Sequence, residues 1–486
     1  MNEEIRALEP KALWNKFADL NAVPRPSKKE ERVIEFMKNF GNQLGLETLV
    51  DEVGNVIIRK PASPGMEDRQ AIVLQSHLDM VHQKNSDTKF DFDTQGIEMY
   101  VDGDWVKAKG TTLGADNGLG VATIMAILES KEIQHPALEA LFTIDEETGM
   151  TGAMGLKPGI LEGKILLNLD TEEDDEIGIG CAGGIDITAK GTYEEVKLEG
   201  NAVAFEVKIS GLQGGHSGMD IIKGLGNANK LMNRVLFEAF DKYAAQISEI
   251  NGGGLRNAIP RESVAKIVVS GISTEDFLSG MKKFTQTIIN EYLSLEPKLK
   301  ITLSPTEVPE KVMSSSSEQK LLRTLYAAHN GVFRMSPDIE GLVETSNNIA
   351  KVHLANGKME ILCLTRSSVE SSKMDLANSL RAAFELGGLD VQFSGAYPGW
   401  TPNPKSEVVK LLDELYQKLN NEEPLIEACH AGLECGIIGK NYPEMEMVSF
   451  GPTIRGAHSP DEKASISSSQ KYWEFVLEIL KNIPKK

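Results

Sequence analysis

The sequence is poor in cysteine, in basic runs and in long apolar stretches, and each shortage removes a class of protein. Its four cysteines, Cys181, Cys363, Cys429 and Cys435, show no C-x-x-C spacing and no dense pairing pattern. They read as reduced thiols, which favours a reducing compartment. A formal charge of −20 without any basic stretch excludes a nucleic-acid partner held by counterion release. No apolar run approaches the roughly 20 residues that span a bilayer. Residues 1–20 are acidic and amphipathic rather than basic and then apolar, unlike a secretory signal. The expectation is a soluble, cytoplasmic protein with no nucleic-acid and no membrane partner.

What is present is an ordinary globular composition, 41% hydrophobic and 25% charged, in a chain of 486 residues. That length exceeds one ordinary core, so two domains are expected. Apolar spacing predicts helices over 10–21, 28–44 and 118–130, and short apolar runs predict buried strands starting at Ala71, Ala140 and Lys164. Strands separated by helices imply a parallel or mixed sheet between helices. Further on, strand, helix and strand patterns follow one another from Val264, Thr274 and Leu299. They recur about a hundred residues later from Met359, Lys373 and Leu389, as two related β-α-β-containing halves would. The last ninety residues return to the first pattern, with helices over 406–419 and 468–482 and a strand from Glu444. The fold class expected is therefore α/β. A catalytic domain from 1–186 and 396–486 has a mixed, mostly parallel sheet, and 187–395 form an inserted α+β domain.

Ligand-type side chains cluster just beyond the strands. His77-Leu-Asp79 ends the first buried strand, Asp145-Glu146-Glu147 the second, Asp170 the third, and His458 follows the strand from Glu444. Open α/β sheets collect ligands beyond the carboxyl ends of their strands, so these loops should converge. Asp116 joins them in the glycine-rich turn Leu113-Gly-Ala-Asp-Asn-Gly-Leu-Gly120. Imidazole and carboxylate suit zinc, cobalt or manganese. Two divalent ions about 3.5–4 Å apart need a bridging ligand, for which Asp116 is the best candidate. Asp79 can accept the His77 imidazole N–H and fix its tautomer. Of the adjacent Glu146 and Glu147, one can ligate while the other serves as general base.

His77-Leu-Asp79, Gly114-Ala-Asp116-Asn117-Gly118, Asp145-Glu146-Glu147-Thr-Gly149, Asn168-Leu-Asp170 and His458 together resemble the co-catalytic di-zinc exopeptidase family. Carnosinases, peptidase T, carboxypeptidase G, aminoacylases and succinyl-diaminopimelate desuccinylase belong to it, and the resemblance covers nearly the whole chain. It implies a zinc-exopeptidase-like catalytic domain with the insertion as a lid, and two Zn2+ per chain, with Co2+ or Mn2+ able to substitute. His77, Asp116 and Asp170 would hold one ion, and Asp116, Glu147 and His458 the other. Glu146 matches the base and Asp79 the residue that orients His77. The resemblance also suggests a cis peptide at Asp116-Asn117. His216 in Gly214-Gly-His216-Ser-Gly218 matches the family's oxyanion-stabilising histidine. Asn257 and Arg366 match its carriers of substrate polar groups and terminal carboxylate, a role that suits the planar guanidinium.

The segments 76–84, 429–435 and 451–459 are most similar to the carnosinase-like branch acting on Xaa-His dipeptides. Where simpler members carry a glycine-threonine motif, this chain has Gly432-Leu-Glu434, and Glu434 could recognise a substrate ammonium. The expected activity is hydrolysis of small dipeptides. An N-acyl-amino-acid amidohydrolase with the same metal site is the alternative, and a binding protein that kept the fold is a more distant one. The resemblance leaves a homodimer open beside a monomer. A nucleotide reading of 114–120 fails, because the glycines are not spaced G-x-G-x-x-G and Asp116 would repel phosphate.

Overall fold

The computed structural model describes residues 2–198, 200–271 and 273–486. The chain folds as two compact units, one formed by Met1–Gly180, Pro402–Ala428 and Leu433–Lys486, the other by Cys181–Thr401 and Cys429–Gly432.

The first unit is built on an eight-stranded sheet. Its order is Glu47–Val50, Val56–Lys60, Leu138–Thr143, Ile72–His77, Ile165–Asn168, Glu446–Ser449, Glu176–Cys181 and Leu425–Cys429. The four central strands run parallel, while Val56–Lys60 joins Leu138–Thr143 antiparallel. The sheet is thus mixed, with its parallel pairs at the centre. Ile72–His77, Leu138–Thr143 and Ile165–Asn168 are buried along their whole length, as expected of parallel strands covered on both faces. Register aligns His77 with Thr143, Gln75 with Asn168 and Ser449 with Asn168. The loops that follow these strands therefore leave the sheet at one edge.

The helix over Ala115–Glu129 is apolar nearly all round and packs against Ile72–His77. Asp116 and Asn117 depart from helical dihedrals inside its first turn, and the regular helix runs from Gly118, where its periodicity predicts a start. The Asp116–Asn117 peptide is cis. The helix predicted over 28–44 spans only Glu31–Gln43, since Lys28 sits at φ 68° and cannot continue a right-handed turn. A small four-stranded sheet escaped the pattern reading. It pairs Met99–Asp102, Trp105–Ala108, Lys463–Ser465 and Ile454–Arg455 and anchors the loop that carries His458.

In the second unit, the sheet runs Lys300–Thr306, Ala202–Ser210, Ser263–Ser270, Gln246–Gly253, Val343–Ala355, Lys358–Ser367, Gly183–Thr192 and Asp390–Tyr397, with Gly331–Met335 paired beside Val343–Ala355. Ser263–Ser270 and Lys300–Thr306 flank Ala202–Ser210, each antiparallel to it. Lys358–Ser367 and Asp390–Tyr397 flank Gly183–Thr192 in the same way. Each strand–helix–strand stretch thus encloses a further strand. The two halves repeat one topology and join where Gln246–Gly253 pairs with Val343–Ala355. Four helices bury Val235, Phe277, Leu321 and Phe384 in a common core against this sheet.

Candidate metal centre and substrate-binding residues

At the sheet edge of the first unit, His77, Asp116, Glu146, Glu147, Asp170 and His458 come together. The ligand atoms of His77, Asp116 and Asp170 lie within 4.8 Å of one another, as do those of Asp116, Glu147 and His458. Asp116 stands between the two imidazoles. Its Oδ1 is 3.2 Å from His77 Nε2, and its Oδ2 is 3.2 Å from His458 Nε2. Asp170 Oδ1 lies 3.5 Å from His77 Nε2 and Glu147 Oε2 lies 3.0 Å from His458 Nε2. His77 is buried at the end of its strand, whereas His458 is exposed on its hairpin loop at φ 65°.

The electrostatics call for positive charge. Burial would raise Asp116, yet hydrogen bonds to His458 and His77 hold it well below the usual carboxylate range. Hydrogen bonds to Asp116 and Glu147 lift His458 to about 11. Burial pushes Asp170 up to about 6. Three carboxylates on two imidazoles form a donor set that divalent ions fit, with release of the imidazole protons on binding. A further observation agrees: Glu147 Oε1 is buried with no hydrogen-bond partner among the described residues. An unsatisfied carboxylate oxygen in this position is costly unless a cation meets it.

Asp79 is fully buried. Its carboxylate accepts from Ser27 Oγ at 2.8 Å and from the backbone N–H groups of Glu146 at 3.0 Å and Glu147 at 3.3 Å, and its Oδ1 is 3.3 Å from His77 Nδ1. It ties the His77 strand end to the turn that presents both glutamates. Burial, with Asp170, Glu434 and Glu147 nearby, raises Glu146 well above the ordinary range against the pull of His77. Such a raised carboxyl suits proton transfer near neutral pH.

Glu434, 1% exposed, lies in the same unit. Its Oε2 accepts from Gln75 Nε2 and Thr143 Oγ1, both at 2.7 Å, while Oε1 is buried without a partner among the described residues. Burial pushes its carboxyl up to about 7.

The second unit gathers His216, Asn257 and Arg366. His216 pairs with Ala258 in a short antiparallel bridge, and the Asn257 carbonyl accepts from Ser217 N–H at 2.8 Å. His216 Nδ1 accepts from the N–H groups of Gly218 at 3.3 Å and Met219 at 3.1 Å. The two N–H groups make Nδ1 an acceptor. Burial, then the nearby Arg366, lowers the His216 pKa. Arg366, 5% exposed, donates to Tyr397 Oη at 2.8 Å and lies 3.4 Å from His216 Nε2.

Two charged residues at the metal centre went unread in the sequence, Arg25 and Glu462. Both are buried against the backbone of the Asp116 turn. The one local signal was Glu462 lying four residues beyond His458.

A mixed α/β sheet whose central parallel strands deliver imidazoles and carboxylates to one edge, beside a raised glutamate, defines a hydrolase of the zinc-exopeptidase fold. Residues 73–482 match the model of Peptidase family M20/M25/M40. The chain is 44% identical over 483 residues to the cytosol non-specific dipeptidase of Escherichia coli (strain K12), covering 99% of this chain and all of that one. It is also similar to the crystal structure of aminoacylhistidine dipeptidase from Vibrio alginolyticus, with a TM-score of 0.95 and 42% identity over 100% of this chain and 99% of the other. The fold extends to aminopeptidase PepT from Bacillus cereus, at a TM-score of 0.57, 16% identity and coverage of 98% and 99%. The chain belongs to peptidase family M20/M25/M40 and is a peptide hydrolase.

Proposed function

We propose that the chain hydrolyses dipeptides with a free amino terminus, Xaa-His dipeptides of the carnosine type among them, using two divalent ions at the His77–Asp116–His458 cluster. The observation that carries this reading is the Asp116 carboxylate, which offers one oxygen to each imidazole-containing group. The names of the two full-length relatives support the substrate class, one a non-specific dipeptidase and the other an aminoacylhistidine dipeptidase. The first of these names also supports a cytosolic location. No helix among the described residues is long and apolar enough to cross a membrane.

His77, Asp116 and Asp170 would hold one ion, and Asp116, Glu147 and His458 the other, with zinc the metal expected and cobalt or manganese as substitutes. Bound there, the ions supply Lewis acidity to the scissile carbonyl and lower the pKa of water. The protein's own groups do the rest. Glu146 takes a proton from the attacking water and passes it to the leaving amine. Asp79 holds His77 in its tautomer and, through the backbone of Glu146, fixes the base. His216 donates its Nε2 proton to the developing oxyanion. Asn257 meets the substrate's polar groups and Arg366 its terminal carboxylate. Glu434 offers its unclaimed Oε1 to the substrate ammonium.

A panel of free dipeptides, with and without a C-terminal histidine, set against their N-acetylated forms tests this. Turnover of the free peptides and loss on acetylation is the result expected. Preference for the acylated forms would make the chain an N-acyl-amino-acid amidohydrolase instead.

A further inference from the structure

The turn that carries Asp116 is gripped from both sides by two buried charged side chains. Glu462, 2% exposed, faces its N–H groups. Its Oε2 accepts from Leu113 N–H at 2.6 Å and Gly114 N–H at 2.9 Å, and its Oε1 from Ala115 N–H at 2.7 Å and Asp116 N–H at 3.3 Å. Four successive donors at the start of the Ala115–Glu129 helix, groups that a helix leaves unsatisfied, thus converge on one carboxylate. Arg25, 1% exposed, faces the carbonyl side. Its Nη2 donates to Gly114 O at 2.6 Å, and its Nη1 donates to Leu78 O and Asp79 O at 3.1 Å each.

The glycines of this turn make the approach possible. A Cβ at Gly114 would stand 2.5 Å from Arg25 Nη2, and one at Gly118 would stand 2.6 Å from it. The two side chains also connect loops distant in sequence. Arg25 links the Asp116 turn to the segment just after His77, and Glu462 links it to the loop of His458. Neither touches the substrate groups assigned above. Both act on backbone, Glu462 on the N–H groups of residues 113–116 and Arg25 on the carbonyl of Gly114, two residues before the carboxylate that faces the two imidazoles.

We propose that Glu462, with Arg25 opposite it, is a positioning residue that sets Asp116 between His77 and His458 and so tunes metal affinity at the shared ligand. The inference rests on the two-metal reading. A frame of this kind has a clear physical task, because Asp116 and Asn117 depart from helical dihedrals within the first turn. With the turn clamped at N–H and C=O together, its carboxylate cannot swing toward one imidazole at the expense of the other.

Glu462→Gln tests it. The amide keeps the shape but offers one acceptor oxygen and aims an NH2 donor at backbone N–H groups. Zinc affinity is measured by competition with a chromophoric chelator, alongside the visible spectrum of the cobalt-loaded protein and the thermal melt. Wild type should bind two ions; if it does not, the two-metal reading fails, whatever the variant does. Given two ions in wild type, Glu462→Gln should bind zinc about 10–100-fold more weakly, as substitutions behind a metal ligand typically do. Its cobalt spectrum should change and its kcat fall with KM little altered, and Glu462→Asp should recover part of the affinity. If Glu462→Gln does not fold, Arg25→Lys carries the same readouts with the same expectation. A folded variant with wild-type zinc affinity and an unchanged cobalt spectrum would reduce Glu462 to a helix cap and overturn the inference.

Discussion

Glu146 and Glu147 are neighbours in one short turn, yet their surroundings differ. Glu147 Oε2 lies 3.0 Å from His458 Nε2 and its other oxygen is orphaned, the signature of a ligand. Glu146 groups with His77 and Glu147 but, among the described residues, in no ligand-type cluster with Asp116 or His458, and burial holds its carboxyl high. Glu146→Gln should therefore lose at least about 10²-fold in turnover, the lower range for general acid–base catalysis, while keeping its metal. Glu147→Gln should lose metal, because a neutral amide replaces a ligating carboxylate poorly. Elemental analysis after dialysis, beside kcat for each variant, separates the two. Metal loss in Glu146→Gln with full retention in Glu147→Gln would exchange their roles. At this scale His77, the glutamate pair and Asp170 were readable because each lies just after a short apolar run, where strand-end chemistry is expected. Arg25 and Glu462 were not readable, since what they recognise is backbone brought close by folding, and a backbone group carries no residue code.

At the scale of elements, the helix Ser315–Ala327 of the second unit carries a buried carboxyl that its sequence does not betray. Glu318 sits in its first turn and is 1% exposed. Burial pushes its carboxyl up to about 8 from the ordinary 4.5. The folded chain thus keeps a proton that the unfolded chain releases between about pH 4.5 and pH 8. Stability falls as pH rises through that window, and the loss is complete above the folded value. Glu318→Gln cannot ionise. Its melting temperature should match wild type near pH 5 and exceed it at pH 9 by at least about 2 °C, the shift that ~1 kcal/mol gives in a unit of this size. Equal differences at both pH values would show that Glu318 does not titrate with folding. Elements themselves were legible wherever periodicity was long and unbroken. Their ends were less so: Lys28 at positive φ shortens one helix, and an irregular turn at Asp116–Asn117 precedes the regular part of another. The strand enclosed within each β-α-β stretch could not be read, because pairing between segments far apart in the chain leaves no local trace.

For the molecule as a whole, both ends of the chain meet in one sheet. Glu446–Ser449 lies beside Ile165–Asn168, and this pairing delivers His458 to Asp116, 342 positions earlier. A return of the terminal segment to the first pattern was visible in the sequence. The small sheet that steadies the His458 hairpin was not, because its strands run only two to four residues, too short to show alternation. The central claim is that this assembled edge works only with two divalent ions. It is tested most directly by exhaustive chelation and stepwise reconstitution, with bound metal counted per chain against dipeptide turnover. The account predicts that stripped protein is inactive and that zinc, cobalt or manganese restores turnover as occupancy approaches two ions per chain. Full activity in protein shown by elemental analysis to be free of metal would contradict it.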